Sequence, residues 1–70
     1  MKKLAMKEEY YTYPPFLLKD IKGYINSLNT DHKFLDCWAE ELRDDLNVCE
    51  LDGTLSPSKV AELRDLFFFS

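Results

Sequence analysis

Histidine occurs once, and cysteine and glycine twice each, in these 70 residues. Each scarcity closes a route to chemistry. A structural zinc site takes four ligands, usually in close pairs such as C-x-x-C. His32, Cys37 and Cys49 stand five and twelve positions apart with no pair among them, so no metal site is expected. Cys37 and Cys49 are read as reduced thiols; on one continuous helix they would lie roughly 18 Å apart, beyond bonding distance. Around Gly53 the run Glu50 to Leu55 resembles the middle of an EF-hand loop, but that register puts Val48 at the first ligand position and Lys59 at the twelfth. Carboxylates belong at both, so calcium is rejected. There is no nucleotide-binding loop, and no cofactor is expected.

Long apolar runs are also missing. After Met1-Lys2-Lys3, only Leu4-Ala5-Met6 precede the charged Lys7-Glu8-Glu9, which reads as no secretory leader. Nothing approaches the length of a membrane span. The expectation is a cytoplasmic protein with no membrane contact.

Positive charge is scarce where the chain is most acidic. Residues 1–30 carry five Lys against three acids, whereas residues 31–52 carry eight acids against Lys33 and Arg43; residues 53–70 balance. Clustered Lys and Arg are what phosphate backbones and anionic lipid attract, so direct nucleic-acid contact is not expected. A helix-turn-helix reading fails on the same ground. The short turn near Asn29 to Asp31 would make the acidic second helix the reader.

Hydrophobic residues make up 46% of the chain, enough for a core. Leu17, Leu18, Ile21, Tyr24, Ile25 and Leu28 recur at three-four spacing and share an arc about 120° wide, which predicts a helix over 15–29 opened by Pro15. A second helix is expected over 31–47. Its apolar face would be Phe34, Leu35, Trp38, Ala39, Leu42 and Leu46, and its N-cap would come from Asn29-Thr30-Asp31. A third is expected over 57–68, with Ser56 as N-cap, Pro57 at the first position, and Leu55 and Val60 placed as a hydrophobic staple. Its inward stripe would be Val60, Leu63, Leu66 and Phe67. Between the last two, residues 47–56 read as a loop turning at Asp52-Gly53, in preference to a small hairpin. Residues 1–13 read as an arm, either a short helix over 2–9 or extended through Tyr10-Tyr11-Thr12-Tyr13. The fold class is therefore all-α: a single small three-helix bundle with an N-terminal arm or short extra helix.

No catalytic constellation emerges. Cys37 with His32 is the one nucleophile pair to weigh, and a reactive thiolate needs positive surroundings; Glu41 and Asp44 supply the opposite. Glu40-Glu41 and Asp44-Asp45 have no flanking pocket signal, so a hydrated helix face is the simpler reading. The chain is read as no enzyme.

Two surface features remain. Tyr10, Tyr11, Tyr13, Phe16, Phe68 and Phe69 exceed what the helix stripes require. Aromatic side chains supply contact area at low entropy cost, so they form the candidate partner surface, with folding of the arm over the C-terminal rings as the alternative use. Asp36, Glu40, Glu41, Asp44 and Asp45 form a candidate acidic surface that could imitate nucleic-acid phosphates inside a basic cleft, or could serve only for solubility. Asp45, near the edge of the apolar arc, is expected as a hydrated rim carboxylate. The expected function is a non-catalytic protein–protein interaction module, a small regulator or adaptor contacting another protein or a second copy of itself. The alternative is an acidic inhibitor of a nucleic-acid-binding protein. The length, the opening Met1-Lys2-Lys3 and the acidic balance are similar in type to small reading frames of phages and mobile elements.

Overall fold

The computed structural model describes residues 4–30 and 32–69. Three α-helices carry it: α1 (Pro15–Asn29), α2 (Leu35–Leu51) and α3 (Pro57–Arg64). A 3-10 helix over Glu8–Thr12 precedes them, and a π-helical turn over Asp65–Phe69 continues α3. Among the described residues there is no strand. This is the small all-α three-helix bundle that the periodicity predicts.

Helix α1 has the bounds expected. Pro14 and Pro15 bar an earlier start, and the Pro14 carbonyl accepts from the amides of Leu17 and Leu18. Leu17, Ile21, Tyr24 and Ile25 are buried, while Leu18 and Leu28 lie half-covered against them. Helix α2 packs antiparallel to α1. Gly23 of α1 meets Trp38 of α2, and Asp20, one turn earlier, is acted on by Asp45, two turns later.

The start of α2 departs from expectation. It begins at Leu35, because His32 and Phe34 both take the left-handed conformation, with φ of 61° and 63°. Two such residues turn the chain sharply after α1, and Phe34 caps α2 while staying outside its helical spiral. The Ser27 hydroxyl donates to the Lys33 carbonyl and the His32 amide to the Ser27 carbonyl, which holds the turn. Phe34 is consequently exposed and is not part of the apolar face. Asp31, the expected cap, lies outside the described residues.

The end of α2 also moves. The helix runs through Leu51, so residues 47–51 are helical and the loop shrinks to 52–56. Cys49 continues the buried row of Leu42 and Leu46, and that extra apolar position sustains another turn. Gly53, at φ 82°, ends it. The Leu55 amide reaches back to the Cys49 carbonyl, and Asp52 accepts from the Thr54 amide. Both cysteines therefore lie on one helix as free thiols.

Helix α3 opens as its sequence requires: the Ser56 hydroxyl accepts from the Lys59 amide at 3.1 Å, with Pro57 at the first position. Val60, Leu63 and Phe67 are buried, and Leu66 is half-buried. Beyond Arg64 the wider π turn changes the angular step between residues. Phe67 and Phe68 both reach Tyr24, with ring centroids 5.9 and 5.5 Å away. Phe68 lies outside the stripe expected of α3, and the change of helical pitch brings it in.

The arm folds back along α1. The Asn29 side-chain amide donates to the Leu4 carbonyl at 2.7 Å and accepts from the Leu4 amide at 3.3 Å. Tyr10 enters the core 5.8 Å from Phe67. That burial outweighs the extended preference of Tyr10-Tyr11-Thr12, and only Tyr13 keeps extended backbone.

Candidate interaction surfaces

The six aromatic candidates divide into two groups. Tyr10 is in the core, Tyr13 is half-covered 6.0 Å from it, and Phe68 is half-covered against Tyr24. These three serve the closure of the arm and the C-terminal turn. Tyr11, Phe16 and Phe69 face outward, at 56%, 40% and 78% exposure. Phe34, Val48 and Leu51 join them, the last at 79%. Sequence periodicity assigned Phe34 to the core and left Val48 and Leu51 in a loop. Once α2 is seen to continue, Val48 and Leu51 fall three apart on one helix face. Cations sit over several rings: Lys22 over Tyr11 at 5.3 Å, Lys33 over Phe34 at 5.4 Å and Arg43 over Phe68 at 5.3 Å.

The acidic candidates are all on α2. Asp36, Glu40, Glu41 and Asp44 are exposed. The two ion pairs among the described residues both use Lys59, with Glu9 at 2.7 Å and Glu62 at 3.1 Å, so neither neutralises that row. The Glu9 carboxyl is held below its ordinary range by the hydrogen bond from Lys59, then by that from Tyr13. The Tyr13 hydroxyl is pushed up by burial first and by Glu9 second.

Asp45 is half-buried at the edge of the apolar face of α2, and its carboxyl acts on that of Asp20 on α1. Asp20 is fully buried, and neither carboxyl oxygen finds a donor among the described residues. Its pKa rises from the ordinary 3.8 to about 7. Burial is the first cause, the Asp45 carboxyl the second and the Glu41 charge the third, with Lys19 opposing them. Asp20 did not stand out in the sequence. The available signal was angular: three positions after Leu17 and four before Tyr24, it lies just outside the apolar arc of α1.

Among the described residues no group of three His, Cys, Asp or Glu side chains is placed to hold a metal. Cys37 is exposed; Cys49 is buried, and burial pushes its thiol up, with Asp52 and Asp45 adding to the rise. No helix among the described residues is long and apolar enough to cross a membrane. Fold and surface thus define a small all-α bundle with apolar and acidic groups displayed on α2 and at the chain's ends. Comparison with protein-family models, with curated proteins and with solved structures finds no match to this chain.

Proposed function

We propose that this chain is a non-catalytic protein–protein interaction module, a small cytoplasmic regulator or adaptor that binds another protein or a second copy of itself. One observation carries the reading. After Tyr10, Tyr24 and Phe67 have closed the core, Tyr11, Phe16, Phe34, Val48, Leu51 and Phe69 still face solvent. Large apolar groups that the fold does not need lower the free energy of association when a partner covers them. Charge reversal on this set tests the idea. Leu51→Glu and Phe69→Glu should abolish partner capture, or dissociate a self-associated form in sedimentation, while leaving helical content unchanged. A monomer at high concentration whose variants keep every captured partner defeats it.

The acidic row supports a second reading, an inhibitor that occupies a basic nucleic-acid cleft on another protein. Asp36, Glu40 and Asp44 follow at four-residue steps along α2, exposed and without an ion pair among the described residues. Binding by this route should weaken with salt. Reversal of the three carboxylates to Lys should end it, whereas the apolar reading predicts binding that survives both.

A further inference from the structure

Asp20 is buried on α1 where that helix packs on α2, and the α2 carboxyl of Asp45 acts on it. Asp20 has no exposed surface, and neither of its carboxyl oxygens has a hydrogen-bond partner among the described residues. Of the acidic α2 residues from Asp36 to Asp45, only Asp45 is half-buried; the others are exposed. The charged groups acting on Asp20 are Asp45 and Glu41 from α2 and Lys19 from its own helix. If both carboxylates were ionised, Asp20 would lack solvation and the two would repel each other. A single proton removes both penalties, because a protonated carboxyl is a donor.

We propose that Asp20 and Asp45 form a one-proton latch between α1 and α2: protonated Asp20 donates to the Asp45 carboxylate and ties the helices together, and loss of that proton weakens the interface. The bundle is then a proton-responsive element whose tightness changes near neutral pH. The direction follows from linkage. The native carboxyl holds its proton to higher pH than the unfolded one, so folding is most favoured below the unfolded value. The advantage declines as pH rises and is gone above the native value. Rising from 3.8 to about 7 spans about three tenfold steps in the folding constant.

The test combines carboxyl-carbon NMR on the unaltered chain from pH 3 to 9 with urea unfolding at pH 5 and pH 8.5. The Asp20 carboxyl should inflect near neutrality, and the folding constant should fall by up to about a hundredfold between the two pH values. Asp20→Asn, whose amide donates to Asp45 with no proton to lose, should flatten that fall. Asp45→Asn should move the Asp20 inflection towards the ordinary carboxylate range. An Asp20 inflection already in that range in the unaltered chain overturns the latch, as does an Asp20→Asn variant with the wild-type slope. If Asp20→Asn does not fold, the carboxyl titration of the unaltered chain decides alone.

Discussion

Gly23 has no room for a side chain. A Cβ there would come within 2.5 Å of the Trp38 ring carbons, so the indole lies directly on the α1 backbone. Alanine would improve helix propensity by about 1 kcal/mol, but displacing the ring costs about 1–3 kcal/mol. Gly23→Ala should therefore lower the melting temperature by several degrees; a higher melting temperature would show that the indole yields freely. Phe34 presents the opposite case. A non-glycine residue in the left-handed region costs about 1–2 kcal/mol, and this ring is mostly exposed. Phe34→Gly should raise the urea midpoint, with the gain reduced by glycine's larger unfolded-state entropy.

Among the elements, the C-terminal turn depends on one hydroxyl. The Tyr24 hydroxyl donates to the Phe67 carbonyl at 2.8 Å inside the core, which satisfies an acceptor at the end of the π turn. Tyr24→Phe should cost about 1–3 kcal/mol, the penalty of a buried unpaired acceptor, read as a lowered urea midpoint. Ser56→Ala should cost about 1 kcal/mol through the lost cap of α3. Helix identity was legible in the sequence wherever a start signal and an apolar stripe agreed, as at Pro15 with Leu17 to Leu28 and at Ser56 with Val60 and Leu63. It was not legible where backbone geometry decided: the left-handed pair at His32 and Phe34 shifted the start of α2, and a π turn re-aimed Phe68. The interaction surface was half-legible. Tyr11, Phe16 and Phe69 face outward as expected, but arm closure claimed Tyr10. Asp20 escaped notice because a carboxylate beside an apolar arc reads as hydrated until the neighbouring helix is in place.

The arm lies on the body of the molecule: the Cα radius of gyration is 11.4 Å, close to the roughly 11 Å expected of a compact chain this long. Its charges set a pH profile with unequal sides. Glu9 and Asp52 titrate below their ordinary values, so their contributions are present at neutral pH and lost as pH falls through the native values. Asp20 is raised, so its contribution is lost on the way up from about 4 to about 7, by up to about 4 kcal/mol. Cys49, Tyr10 and Tyr24, raised mainly by burial, extend the loss into alkali. Stability against urea should therefore peak near about pH 4–5, and a plateau through pH 8 would contradict the sign assigned to Asp20.

The sequence has one tryptophan, and the fold has set it on the seam that Asp20 guards, its ring against a glycine one turn along. The molecule thereby contains its own optical gauge. If the seam loosens as the solution turns alkaline, Trp38 emission should move to longer wavelength before circular dichroism records any loss of helix, so the gap between the two helices can be followed without attaching a label.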